Sequence, residues 1–365
     1  MKAGAISLLA VILVAGCEAP GRANAAAHPT VAGSAAAPAV TAASEPRLAS
    51  PPPQPPGPVL ADETFPILAP FNCQLPAETT SPVGDFVPGF LDMTTGHFVS
   101  DPAAELTKVP NSWDDWRTVA TPVLRGFTGI TYSRAARRWI PAERLQVSPD
   151  GVHYAYPEVV APETDIRLHV ADLAAGTDRV LSTGTSWAVL DYRTEGIYLT
   201  KAPYYYGEGN SGLWLMNPLD GSVRQLLPET ATTLYLGGDA AWGSDKPVLP
   251  TIMYRYDLAT GARSVWFAQP GRNVQFIGAD GAGHPLAVVF SATDTKRELW
   301  LLTGPSKGTV IFSGSDQVGG PFDAIPVTEA HGVWLGGPAG LWLLPPGGQL
   351  VKVSSAPVRA LGGCH

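Results

Sequence analysis

Gly212–Leu227 reads GLWLMNPLDGSVRQLL, the pattern of two strands joined by a hairpin. GLWLM is apolar and too short for a helix, and SVRQLL is a second β-rich run. Asn217-Pro218-Leu219-Asp220-Gly221 between them is turn chemistry: Asn and Asp side chains bond nearby backbone, and Gly accepts φ > 0 without a Cβ clash. Two near copies, ELWLL from Glu298 and GLWLL from Gly340, are each followed by a tight turn and another β-rich run. Working outward, the turn glycines align as Gly96 in DMTTG, Gly176 in DLAAG, Gly221, Gly261 in DLATG, Gly308 in GPSKG and Gly348 in PPGG. A glycine-free equivalent, SRAAR, lies at Ser133–Arg137. With Ala136 as its anchor, successive spacings are 40, 40, 45, 40, 47 and 40 residues. A recurrence of that length is the signature of four-stranded propeller blades. The expected fold is all-β: a single β-propeller of about seven four-stranded blades, with six possible.

Within the unit Trp187–Leu227, strands are expected at Trp187–Asp191, Gly196–Thr200, Leu213–Asn217 and Ser222–Leu227, the first innermost. After the N-terminal apolar stretch no helical periodicity survives an eleven-residue window. At the far end, PVRALGG from Pro357 resembles the innermost strand of a new unit but has almost no chain after it. It can complete a blade by joining the strands expected at Phe86–Leu91 and His97–Val99, which would close the ring with a C-terminal strand.

One unit resembles a known family. Leu145–Glu158, LQVSPDGVHYAYPE, is similar to the Ser-Pro-Asp-Gly-x-x-x-Ala-Tyr repeat of TolB-type, WD-repeat-like bacterial propellers, and Gly212–Leu227 resembles the second half of that repeat. The resemblance implies that Pro-Asp-Gly turns between the inner two strands. It also implies a scaffold that often binds proteins or ligands, and it implies no reaction.

The first residues set location. Lys2 precedes an apolar stretch, Ala3–Ala15, that is long enough for a signal-peptide core and too short to span a membrane. It ends in Val14-Ala15-Gly16-Cys17, which resembles the bacterial lipobox, whose cysteine receives the lipid. An ordinary cleavage after Ala23-Asn24-Ala25 is the competing reading. From Glu18 to Thr64 the chain is rich in Ala, Pro, Ser and Thr, with PPPQPPGP at Pro51–Pro58. Such a segment buries too little apolar area to order itself, and as a semi-stiff spacer it would reach about 40 Å. The expected organisation is a signal peptide at 1–16, lipidated Cys17 with a tether at 17–64, and a propeller at 65–365. With Cys17 lipidated, Cys73 and Cys364 are the two thiols left in an export compartment. They are expected to form a disulfide joining the ends of the domain; two separately buried thiols are the alternative.

The remaining features narrow function by exclusion. A formal charge of −8 does not suit a nucleic-acid binder, which needs a basic face. Gly304-Pro305-Ser306-Lys307-Gly308 matches a nucleophile elbow, but that motif needs a strand-to-helix turn. Gly207–Gly212 matches a dinucleotide fingerprint, but a strand follows it where the pyrophosphate needs a helix N-terminus. The seven histidines show no ligand spacing, so no metal or cofactor is expected. Long connections between second and third strands (Glu158–Asp165, Lys201–Gly212, Gly243–Thr251 and Ser291–Arg297) mark the candidate ligand face. Tyr204, Tyr205, Tyr206, Trp113 and Trp116 are its candidate contact residues. The function expected is a monomeric, lipid-anchored, extracytoplasmic module binding an envelope protein, glycan or small ligand. A propeller hydrolase or lyase is the alternative, and three or more acidic or histidine side chains converging on the channel would favour it.

Overall fold

The computed structural model describes residues 63–69, 71–80, 86–107, 129–160, 165–201, 211–232, 234–291, 294–315, 321, 326–337 and 339–365. In chain order the elements are β1 (Glu63–Thr64), β2 (Gln74–Thr80), β3 (Phe86–Asp92), β4 (His97–Ser100), helix α1 (Pro102–Thr107), β5 (Thr131–Ser133) and β6 (Arg138–Ile140). The second blade carries β7 (His153–Val160), β8 (Asp165–Asp172) and β9 (Thr177–Thr183). The third has β10 (Trp187–Arg193), β11 (Gly196–Lys201), β12 (Ser211–Met216) and β13 (Val223–Thr232). The fourth has β14 (Tyr235–Gly237), β15 (Ala240–Ser244), β16 (Ile252–Asp257) and β17 (Arg263–Ala268). The fifth has β18 (Asn273–Ala279), β19 (Pro285–Ser291), β20 (Asp294–Gly304) and β21 (Lys307–Ser315). The sixth has β22 (Val327–Glu329), β23 (Gly332–Gly337), β24 (Gly340–Leu344) and β25 (Val351–Ser354), and β26 (Val358–Ala360) ends the chain.

These strands make a six-bladed propeller of antiparallel sheets; in blades two to six the strand order follows the chain from the axis outward, and the first blade departs from it. In the second blade the innermost strand is reduced to one bridge, Val147 to Tyr154, and Ser148-Pro149-Asp150-Gly151 turns into β7 with Gly151 at φ +73°. Of the seven aligned turns, six close the outer hairpins of these blades. The seventh, at Ser133–Arg137, joins the two-stranded sheet β5–β6, which accounts for the blade count of six. Its residue in the glycine position is Arg137, at φ +50°, so the anchor is Arg137 rather than Ala136. The six-residue helix α1 is too short to leave a periodicity in sequence. Asp101 caps it, with Oδ1 accepting the Ala103 amide at 2.9 Å and Oδ2 the Trp139 indole N–H at 2.8 Å.

The three copies seen in sequence are the third strands of their blades, β12, β20 and β24. All eight described tryptophans lie in strands and pack within or between neighbouring sheets. Trp187 meets Trp214 edge-on at 5.2 Å, and Trp242 stacks on Phe276 of the next blade. Such pairs add to the apolar area buried between blades.

The ring closes in the first blade, ordered β1-β4-β3-β2-β26. The C-terminal strand does pair near the domain start, but with β2 (Ala77 opposite Ala360) and not with β3 or β4. Gln74–Thr80, QLPAETT, holds a proline and a glutamate and does not read as a strand. It becomes one because β26 and β3 pair on either side of it. Cys73 and Cys364 are bonded, Cα to Cα 5.4 Å.

Candidate functional site

The innermost strands of blades three to six, with the segment Glu143–Pro149 entering blade two, enclose a cavity of about 440 Å³ around the propeller axis. Its wall is largely apolar, from Leu145, Val189, Leu190, Leu236, Phe276 and Ile277. Arg193, Gly238 and Gly281 also line it.

Five charged side chains reach this wall: Glu143, Arg144, Asp191, Arg193 and Asp280. Three are committed. Asp191 and Arg193 pair at 2.6 Å. Arg193 also donates to the Gly238 carbonyl at 2.7 Å and lies over the Tyr198 ring. Burial raises the Asp191 carboxyl against the opposing pull of Arg193. Asp280 serves its own turn, with Oδ1 accepting the Ala282 and His284 amides and Oδ2 lying 3.0 Å from His284 Nδ1.

Glu143 and Arg144 differ from these. They open a 3₁₀ turn (Arg144–Gln146), whose Gln146 Oε1 accepts the Glu143 amide at 2.9 Å. Glu143 is half-buried, and its carboxyl is pushed up to about 8, first by burial and then by the charge of Glu78, with Arg359 opposing. Glu78 is fully buried in β2 and lies 2.5 Å from Arg359 of β26. Glu143 is therefore mainly a neutral, proton-bearing acid at neutral pH. The Arg144 side chain is exposed to the cavity and has no hydrogen-bond or ion-pair partner among the described residues.

This site differs from the one expected. Cys17, Trp113, Trp116, Tyr204, Tyr205 and Tyr206 lie outside the described residues. Two of the connections expected to be long are tighter than their sequence suggests. Ser291 already pairs with Asp294, and β7 runs on to Val160 opposite Asp165. Gly243–Thr251 is a longer connection, held by Asp245 accepting from Thr251 and Ile252. Ser306 sits at φ +53° in a two-residue hairpin between Gly304 and Lys307, so no helix follows it. Glu329, His331 and Cys364 place donor atoms within 4.8 Å of one another, but the Cys364 sulfur is in the disulfide and Glu329 accepts the Trp334 indole N–H at 2.9 Å. On blade two, His169 is bracketed by Glu158 at 3.0 Å and Asp178 at 3.2 Å, and Tyr156 donates to Asp178. Sequence reasoning missed Glu143, Arg144, Asp191 and Arg193. The available signal was charge at the end of an inner strand, WAVLDYR, and in the connection ahead of SPDG.

No family model and no curated protein matches the chain. Among solved structures, TolB from Acinetobacter baumannii is similar at 14% identity and a TM-score of 0.45, over 80% of this chain and 67% of that one. An oligogalacturonate lyase in complex with manganese is similar at 12% and 0.42, over 81% of this chain and 96% of that one. An acylaminoacyl peptidase is similar at 11% and 0.40 over 60% of this chain, which spans 40% of that protein. The neighbours thus include TolB, lyase and peptidase propellers, and the likeness is one of fold.

Proposed function

We propose that the chain is a lipid-tethered, extracytoplasmic propeller that binds a small ligand in its axial cavity. The cavity carries the reading: about 440 Å³ lies within the range of small-molecule sites, and an apolar wall with a few convergent polar groups is their usual makeup. The lipobox at Cys17 and the Pro/Ala tether support the location, with the lipid on Cys17 as the membrane contact.

Two measurements test this. Dialysis of the mature protein against a low-molecular-weight envelope extract, followed by mass spectrometry, should enrich a compound that a Gly281→Phe variant does not retain. Gly281 is an exposed lining residue with open space where its Cβ would stand, so phenylalanine there adds bulk at the cavity rim without forcing the backbone. Equal retention by the variant overturns the reading. Separately, Cys17→Ser should release the protein from carbonate-washed membranes, and retention overturns the lipid anchor.

A second reading, a hydrolase or lyase, is favoured by one observation: three carboxyls line the cavity, and Glu143 among them keeps its proton near neutral pH, as a general acid must. Turnover of the retained compound that Glu143→Gln abolishes would establish it.

A further inference from the structure

We propose that the cavity seats a monoanionic organic carboxylate, which pairs with Arg144 while its apolar body lies along Leu145, Leu190, Leu236, Phe276 and Ile277. This rests on the reading that the cavity is the ligand site.

Charge accounting leads there. Asp191 and Arg193 neutralise each other at 2.6 Å, and Asp280 is held by two backbone amides and His284. Glu143 adds no full charge at neutral pH, since burial and Glu78 hold its proton on. Among the described residues, Arg144 is then the cation on this wall whose charge no neighbour takes up, although Asp191 feels it at a distance. An arginine guanidinium takes a carboxylate through two parallel N–H···O bonds. One uncommitted cation balances one negative charge. A phosphate dianion would carry a second charge for which this wall offers no uncommitted cation among the described residues. The apolar wall asks for a hydrocarbon or aromatic body on the same ligand, since a small inorganic anion would leave that surface uncovered.

The neighbouring Glu143 adds a pH signature. As an acid it can donate to a second carboxylate oxygen or stand by without repulsion. Once ionised it repels the ligand. Among the described residues, the charged groups around it are Glu78 on β2 and Arg359 on β26, with its neighbour Arg144, Asp191 and Arg193 on β10, and Asp280 on the same cavity wall. The Asp191 carboxyl is itself raised by burial against the pull of Arg193, so Glu143→Gln is the variant that isolates the share of Glu143.

Calorimetric titration of the mature protein with octanoate and 4-phenylbutyrate, against their amides and inorganic phosphate, tests the proposal. Carboxylates should bind about tenfold or more tighter than the amides, and Arg144→Gln should remove that preference. Affinity should fall as pH rises from about 6.5 to about 9, and Glu143→Gln should flatten the profile. Equal binding of amides or phosphate, or an undiminished preference in Arg144→Gln, overturns the carboxylate class. If Gly281→Phe still blocks that binding, the cavity reading stands without it. Carboxylate binding untouched by Gly281→Phe overturns the cavity reading itself. If no probe binds, the carboxylate proposal falls, while the dialysis experiment still decides the cavity.

Discussion

The third blade and the first share a plan and differ in what holds them together. The third is contiguous, Trp187–Thr232, and each strand pairs with its sequence neighbour. Its closures are local hairpins, in which Gly196 and Gly221 take positive φ and Asn217 and Asp220 accept turn amides. The first blade takes its innermost strand from the opposite end of the chain. Three paired positions, Ala77–Ala360, Glu78–Arg359 and Thr79–Val358, must hold that strand. Around them are the disulfide, the Glu78–Arg359 contact, and a Ser354 hydroxyl donating to the Pro66 carbonyl. Long-range pairing costs loop-closure entropy before it returns any contact energy. The devices concentrate where that cost falls.

The comparison is broken most directly at the disulfide. A Cys73→Ala/Cys364→Ala protein should lose about 5 kcal/mol of stability, the chain-entropy value for a closed loop this long. Hydrogen exchange should quicken first at Val358–Ala360 and Gln74–Thr80, with the third blade still protected. Equal loss of protection everywhere would show that the closure is not a separate weak point. The counterpart in the contiguous blade is Trp214→Ala, which empties the packing against Trp187. It should cost about 3–5 kcal/mol, with protection falling in blades two and three and the closure strands still paired. Denaturant unfolding gives both magnitudes.

The same contrast governs what could be read from sequence. DLATG and NPLDG announce hairpins because an Asp or Asn, a turn and a glycine act on their own neighbours, and four of the seven turns obey this. The staple was legible because the expectation of export with a lipidated Cys17 leaves two thiols to pair. Strand β2 was not, since QLPAETT takes its strand identity from partners on both sides, one nearly the whole domain away. The cavity was hidden for a related reason. Glu143 and Arg144 sit in a connection, Asp191 at a strand end and Asp280 in a turn, and their convergence on one axis is a property of the closed ring.

Between closure and cavity stands Glu143, which feels the buried Glu78 of the closing blade. Its carboxyl is raised to about 8, so the folded state disfavours the ionised form. Its stabilising share is complete below the unfolded-state value near 4.5 and is lost as pH climbs through the folded value. Glu143→Gln should match the parent near pH ~4 and be more stable near pH ~9, by on the order of 2 kcal/mol once the linkage is discounted for solvent at the open cavity. Melting temperatures across that window check it. A constant difference at every pH would mean that Glu143 does not carry the coupling.

The smallest effect sharpens the comparison at a single backbone angle. Gly96, Gly176, Gly221 and Gly261 occupy the same turn position at φ between +65° and +77°. Arg137 occupies it in the β5–β6 hairpin at φ +50°. A residue with a Cβ is strained there by roughly 1–2 kcal/mol, and glycine would relieve the strain while losing more entropy on folding. Arg137→Gly should therefore stabilise the protein by about 0.5–1 kcal/mol, and Gly221→Arg should destabilise it by more than the mirror amount. At Gly221 a Cβ would also meet the Leu181 carbonyl oxygen at 2.7 Å, a contact the β5–β6 turn does not have to resolve. The pair of melting shifts separates the two costs, because both substitutions change the dihedral term and only the second adds the clash. If Arg137→Gly destabilises, the arginine side chain supplies more to the hairpin than its backbone angle costs, and the turn is an adapted one that does not depend on glycine.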